Sequence, residues 1–306
     1  MAGTCEVTSD PKKRLRRTML FLNAQRPSLM KDAYIYGPDS VILDLEDAVS
    51  ENQKDAARFS LYNNLRSIDY GTVERIVRIN GLDTPHWPED VRASVAGGAD
   101  GIRIPKCERA CDVKRIEAAI EDAEREFSRE PGCTLIMAAI ESPRGVLNAL
   151  DICESSERLF GVAISGGDFR AAMRTKYYPS GVEMASARGN VLLAARAAGV
   201  QCFDTVFTNL DDMDGFRAEV IMNREMGFDG KSIVNPRQIA IVHEIFTPTD
   251  KEIREALRVV RALRQNADEG VGVFLVDGKM IDAAFLSGAE HTIALARASG
   301  VLGEAL

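Results

Sequence analysis

The stretch Thr134–Ser165, TLIMAAIESPRGVLNALDICESSERLFGVAIS, contains one complete repeat of the fold. Its first run, Thr134 to Ser142, is apolar until it ends on Glu141 and Ser142. A segment of helical character, Gly145 to Cys153, follows, and Arg158 to Ser165 is apolar again. Short apolar runs bounded by turn residues predict strands buried on both faces, and a helix between two of them predicts a parallel pair joined by a crossover.

Outward from this unit the pattern recurs. Thr18 to Leu22, Ser40 to Glu46, Arg75 to Asn80, Gly101 to Lys106, Cys202 to Phe207 and Gly230 to Asn235 complete eight strand-like runs. Helical stretches fall between them at Pro27 to Ile35, Gln53 to Leu65, Pro88 to Val95, Ala110 to Phe127, Gly181 to Ala198, Met213 to Met226 and Pro236 to Ile245. Gly97-Gly98, Pro131-Gly132, Gly199 and Gly227 stand where helices must turn back into strands. Eight βα repeats predict an α/β fold, a (β/α)8 TIM barrel with a C-terminal helical extension; a doubly wound open sheet is the alternative. Residues 1–13 read as a flexible N-terminal segment, 14–246 as the barrel and 247–306 as the extension, with Pro248 near the boundary. Within the extension, Thr249 to Asp268 and Ala283 to Ser299 read as helices and Gly270 to Val276 as an extended run. An appendage of this kind can cap a neighbouring copy, so an oligomer is expected.

A chain of 306 residues with 45% hydrophobic and 27% charged residues can bury a large core. Its net charge of -8 opposes nucleic-acid binding. The basic run Lys12-Lys13-Arg14-Leu15-Arg16-Arg17 can meet an anionic cofactor tail or an acidic partner, or simply be solvated. The scattered cysteines Cys5, Cys107, Cys111, Cys133, Cys153 and Cys202 have no zinc spacing and suit a reducing cytoplasm. Met19-Leu20-Phe21-Leu22 is too short for a signal-peptide core, and no run approaches membrane-spanning length, so neither export nor a membrane is expected. His86, His243 and His291 lack ligand spacing, and serine-hydrolase, Walker and dinucleotide motifs are absent from the sequence.

Barrel enzymes place their reacting groups where strands end. Here Asp44, Glu46 and Asp47 close the second run, Arg78 and Asn80 the third, Lys106 the fourth and Glu141 the fifth, and Gly166-Gly167-Asp168 follows the sixth. Glu141 and Asp168, on adjacent strand ends, repel unless they share a cation or a proton. A Mg2+ site with few protein ligands is one resolution, and a metal-free acid/base pair is the other. The glycines beside Asp168 would allow close backbone approach to a ligand. Arg78, inside the apolar Ile76-Val77-Arg78-Ile79-Asn80, needs a wet mouth and an anion, so it is read as binding substrate oxygen. Asp44 and Glu46 share a strand face and either orient Arg78 or metal-bound water, or only brace the rim.

Seven blocks in order carry a resemblance: Arg16-Arg17-Thr18-Met19-Leu20-Phe21, Asp44-Leu45-Glu46-Asp47-Ala48-Val49, Val77-Arg78-Ile79-Asn80, Ile104-Pro105-Lys106, Ala138-Ala139-Ile140-Glu141-Ser142, Phe228-Asp229-Gly230-Lys231-Ser232-Ile233-Val234-Asn235-Pro236 and Asp277-Gly278-Lys279-Met280-Ile281-Asp282. From about residue 14 onward the chain resembles the citrate lyase β-subunit and malyl-CoA lyase family of the HpcH/HpaI aldolase superfamily. That resemblance implies a carbon-carbon lyase acting on a 3-hydroxy thioester of coenzyme A or of the phosphopantetheine of an acyl-carrier protein. It implies that Glu141 and Asp168 bind Mg2+ and that Arg78 meets the thioester oxygen. It further implies trimer-forming barrels in which Asp282 reaches a neighbouring subunit's site as the proton-transfer group. Glu46 and Asp47 join Arg78 and Asp282 as candidate catalytic residues, and Arg16, Arg17, Lys106 and Lys231 would lie near the pantetheine or nucleotide arm. Citrate lyase would make oxaloacetate and an acetyl thioester, with α and γ (acyl-carrier) subunits as partners; citramalyl-CoA or malyl-CoA lyase is the neighbouring possibility, and a non-catalytic barrel subunit the one of another class. Two loops depart from the family's pattern. Leu22-Asn23-Ala24-Gln25-Arg26-Pro27 replaces a Val-Pro-Gly loop, and Ser165-Gly166-Gly167-Asp168 replaces Gly-Ala-Glu-Asp.

Overall fold

The structure, a computed structural model, describes residues 10–268, 273–276 and 278–303. Eight parallel strands close a barrel in chain order: β1 (Thr18–Asn23), β2 (Ser40–Asp44), β3 (Glu74–Arg78), β4 (Gly101–Ile104), β5 (Leu135–Ile140), β6 (Leu159–Ile164), β7 (Gln201–Asp204) and β8 (Gly230–Ile233). Each falls within the run that predicts it, to within a residue or so. Every residue of β5 and β6 is buried, because one face fills the barrel and the other meets helices. Met19, Ile42, Ile76, Met137, Phe160 and Phe203 pack into one interior cluster. Each such side chain contributes about 1.5–3 kcal/mol by leaving water. The barrel closes where β8 meets β1. There a Cβ on Gly230 would collide with the carbonyl of Arg16, so only glycine allows the approach.

The intervening helices are α1 (Pro27–Met30), α2 (Lys54–Ser67), α3 (Trp87–Gly97), α4 (Ala110–Glu126), α5 (Pro143–Leu147), α6 (Ala149–Cys153), α7 (Gly166–Ala172), α8 (Val182–Ala198), α9 (Met213–Met226) and α10 (Ile239–Phe246). Helix α4 buries Val113, Ile116, Ile120 and Ala123 at helical spacing, and Asp112 accepts from the Arg109 amide at its start. Gly199 and Gly227 end α8 and α9 in left-handed conformations, φ 71° and 100°.

The sequence pattern errs in detail. The expected helix at Pro27 to Ile35 is α1 followed by a separate 3-10 turn, Ala33–Tyr36. That at Gly145 to Cys153 begins earlier and breaks into α5 and α6, with Ser142 accepting from the Gly145 amide at 3.2 Å. Helix α7 has no forewarning, since Gly166 and Gly167 are poor helix formers; its first amide, of Gly166, donates to Thr205 Oγ1 at 2.8 Å, a tertiary contact. Residues 11–13 form a 3-10 turn capped by Asp10, and the Pro11 and Lys12 carbonyls accept from Arg16.

The chain divides into two compact units, 1–243 and 244–306. In the second, α11 (Asp250–Asp268) and α12 (Phe285–Ala298) pack through Ala256, Val260, Ala289 and Ile293. The extended run ends in an antiparallel hairpin of β9 (Val273–Val276) and β10 (Lys279–Asp282), the latter unforeseen; residues 270–272 lie outside the described residues. Among the described residues, no helix is long and apolar enough to cross a membrane.

Candidate active site

Strand alternation sets Asp44, Arg78 and Arg103 side by side on the inner faces of β2, β3 and β4. Arg78 donates from Nε and Nη2 to the two Asp44 oxygens at 2.7 and 2.6 Å. Its Nη1 lies 2.9 Å from Glu46 Oε2, and Asp47 stands at 3.8 Å. Burial would lower the Arg78 pKa, but these carboxylates raise it, so it stays a cation. Lys106 holds the unusual φ of 49° and donates to Glu46 Oε1 at 2.8 Å, with Asp47 at 3.9 Å. Glu46 is raised by burial, against the pull of Arg78 and Lys106. The loop that carries it is anchored by Lys54, whose Nζ donates to the carbonyls of Leu45 and Glu46 at 2.9 and 2.8 Å.

Glu141 continues the inward face of β5 and is 2% exposed, and among the described residues neither carboxylate oxygen has a donor within reach. Asp168, in the first turn of α7, is exposed beside it. Burial pushes the Glu141 carboxyl up to about 7; Arg103 opposes this and the adjacent Asp168 adds to it. Both carboxylates line one cavity of about 480 Å³, with Lys106, Glu108, Arg109 and Ser142. That volume suits a small substrate. Among the described residues no cluster of three or more His, Cys, Asp or Glu side chains gathers around a cation position. Two hard oxygen donors, one orphaned and buried, in a cavity roomy enough for water fit a divalent cation completed by solvent and substrate. A Cβ on Gly167 would meet nothing within 4 Å, so the glycine is not demanded by crowding.

Three expected cofactor residues lie elsewhere. Arg16 precedes β1, at the N-terminal end of the barrel, and is 1% exposed. Its guanidinium donates to Glu74 at 2.7 and 2.6 Å and to Gln201 at 2.6 Å, and lies 4.0 Å over the Phe160 ring. Arg17, at the same end, grips Asp39 through Nε and Nη2, both at 2.9 Å. Lys231, fully buried, donates to Asp204, the Thr205 carbonyl and Glu219 at 3.1, 2.7 and 2.6 Å, behind β8. All three are occupied by partners within the chain, and none of them lines the cavity. Lys106 does stand at the mouth. Asp282 ends β10 in the second unit, where its Oδ1 accepts from the Ala284 amide at 2.9 Å.

Arg103 escaped the sequence reading, although Gly101-Ile102-Arg103-Ile104 offers the same signal as Arg78, a cation inside an apolar strand. Its Nη2 donates to Ser165 Oγ at 3.1 Å, its Nη1 lies 3.5 Å from Ser232 Oγ, and its Nε has no partner among the described residues. Burial first, then the neighbouring Arg78, lower its pKa to about 10, with Glu141 opposing.

Residues 17–236 match the family described as HpcH/HpaI aldolase/citrate lyase, and 181–301 match a C-C bond lyase family of the TIM-barrel fold. The chain belongs to the HpcH/HpaI aldolase/citrate lyase family. Within it, the citrate lyase subunit beta of Leuconostoc mesenteroides subsp. cremoris is 47% identical over 94% of this chain and 95% of its own length. A (3S)-malyl-CoA thioesterase of Cereibacter sphaeroides is 35% identical over 92% and 95%. The crystal structure of CitE from Mycobacterium tuberculosis with magnesium, acetoacetate and coenzyme A superposes with a TM-score of 0.75 at 28% identity, over 93% of this chain and 99% of that one.

Proposed function

We propose that the protein is a Mg2+-dependent carbon-carbon lyase that cleaves a citryl thioester to oxaloacetate and an acetyl thioester. The observation that carries this is Glu141, a buried carboxylate without a donor, beside Asp168 in a cavity of substrate size. Family membership and the Leuconostoc relative's name support the reaction, and the magnesium and coenzyme A of the Mycobacterium structure support the cofactor and the thioester. Glu141 and Asp168 would hold Mg2+, which supplies Lewis acidity at the substrate's hydroxyl and carboxylate. Arg78, kept cationic by Asp44 and Glu46, stabilises the negative charge that develops on the thioester oxygen as the C-C bond breaks. Glu46 and Asp47 orient Arg78 and Lys106, and Lys106 steadies the anionic arm of the thioester.

Asp282 of a neighbouring copy, in a trimer, moves the proton at the enolate carbon. The carrier is an acyl-carrier protein or coenzyme A, with α and γ subunits of citrate lyase as partners, in the cytoplasm. Free Cys107, Cys111, Cys133, Cys153 and Cys202 agree with that compartment. The Cereibacter relative favours a second reading, a malyl-CoA or citramalyl-CoA substrate. The test presents purified protein and Mg2+ with citryl, citramalyl and malyl thioesters and identifies the keto acid released. Oxaloacetate formed fastest supports the first reading, glyoxylate or pyruvate the second. Turnover of none refutes both and leaves a non-catalytic barrel.

A further inference from the structure

Three guanidinium or ammonium groups stand at the inner rim, and two are neutralised. Arg78 is gripped by Asp44 and Glu46, and Lys106 by Glu46. Arg103, 1% exposed, has no ion-pair partner among the described residues. Of its five N-H donors only two find acceptors, both neutral hydroxyls, and one of those contacts is long at 3.5 Å. The half-buried Phe21 ring lies 5.1 Å from the centre of its guanidinium, and an identical distance separates that ring from Arg78. A desolvated guanidinium fork with unspent donors matches a carboxylate in two parallel bonds. Glu141 follows β5, the strand paired with β4, and its charge acts on Arg103, so an anion bound by Arg103 would lie near that carboxylate.

Within the lyase reading, on which this rests, we propose that Arg103 binds the second carboxylate of the substrate and so selects a citryl thioester over malyl and citramalyl ones. The citryl group differs from the citramalyl group only in carrying CH2COO- where the latter has a methyl. The same difference separates the products oxaloacetate and pyruvate. Arg78, held by two carboxylates, is left for the thioester oxygen, while Arg103 and the Ser165 hydroxyl form the side of the site that recognises the extra anion.

Oxaloacetate and pyruvate are titrated by calorimetry, in the presence of Mg2+, into the wild type, Arg103→Met and Arg103→Lys. The expected result for Arg103→Met is a loss of oxaloacetate affinity of about 100-fold with pyruvate affinity unchanged within about threefold. Arg103→Lys recovers part of the loss. In turnover, the citryl over citramalyl preference in kcat/KM collapses by a similar factor. Equal losses for both acids would show that Arg103 merely counterbalances Glu141, and unchanged oxaloacetate binding would leave it a core residue; either overturns the assignment. Should Arg103→Met not fold by circular dichroism, Arg103→Gln, which keeps a donor for Ser165, carries the same comparison. Wild-type protein that binds neither acid removes the lyase reading itself, an outcome distinct from a variant that fails to discriminate.

Discussion

The two ends of the barrel carry the same residue types arranged to opposite effect. At the N-terminal end, Arg16 and Glu74 form a closed circuit. Every nitrogen of the guanidinium has an acceptor, and Glu74 Oε2 also accepts from Ser40 at 2.8 Å. Behind β7 and β8, Arg188, Asp204, Glu219 and Lys231 pair with one another, Arg188 gripping Asp204 through two bonds of 2.9 Å, although its Nη1 is left without a partner among the described residues. At the C-terminal end, among the described residues, Glu141 has no donor and Arg103 has an orphan Nε. Buried polar groups in folded proteins are nearly always satisfied, so an end left open is one completed from outside. Among the described residues, Glu141 is set apart because both of its carboxylate oxygens are buried without a donor.

The sharpest way to break this contrast is to remove an open group. Glu141→Gln or Asp168→Asn should lower turnover more than about 10⁴-fold, since several kcal/mol of charge stabilisation go with the metal. For Glu141→Gln the melting temperature should hold or rise, because a buried unpaired carboxylate is lost. Calorimetric Mg2+ titration and a thermal melt read both, and intact Mg2+ binding would end the assignment.

Opening a closed circuit should do the reverse. Glu74→Gln leaves Arg16 buried without its counter-charge and should lower stability by about 3–5 kcal/mol in urea unfolding. Mg2+ affinity should not change; a parallel loss would mean that the two ends are not independent.

The two kinds of end should also answer pH in opposite directions. With Glu141 raised to about 7 by burial, Mg2+ affinity should fall about tenfold per unit below pH 7, as a proton takes the metal's place. In the metal-free protein the folded state holds that proton more tightly than the unfolded chain. Its contribution is therefore full below about 4.5 and lost as pH rises through about 7. Burial would raise Asp204, yet Lys231 and Arg188 hold it at about 2, so its contribution is present above 3.8 and lost only as pH falls toward 2. Urea unfolding without metal at pH 5 and pH 8 checks the first sign: lower stability at pH 8 is expected, and addition of Mg2+ should narrow the gap.

The smallest effect is expected at Arg17. Its pair with Asp39 is partly solvated at 12% exposure on both sides, so Arg17→Gln should cost no more than about 1 kcal/mol. Coenzyme A affinity, read by calorimetry, should stay within about threefold. A larger drop would return Arg17 to the cofactor site.

Much of the site is legible in the residues that end the strands. Arg16 and Arg17 precede β1 and Lys231 sits second in β8, so their positions in parallel strands already assigned them to the far end from Glu141. Arg103 carries the same signal as Arg78, a cation inside an apolar strand, but it stands before the Ile104-Pro105-Lys106 block of the resemblance. Helix α7 was hidden by its two glycines, and the β10 strand by the brevity of Lys279–Asp282.

From sequence alone came the eight parallel strands, their order of appearance, the family, and the carboxylates and arginine that end β2, β3 and β5. Those follow from period-two and helical patterning, which are local properties of the chain. Tertiary structure alone decided which charges are spent. Arg16 meets Glu74 across 58 residues and Lys231 meets Asp204 across 27, whereas among the described residues no acid pairs with Arg103 and no donor reaches Glu141. Pairing of that kind depends on distances through space, and a linear pattern does not contain them.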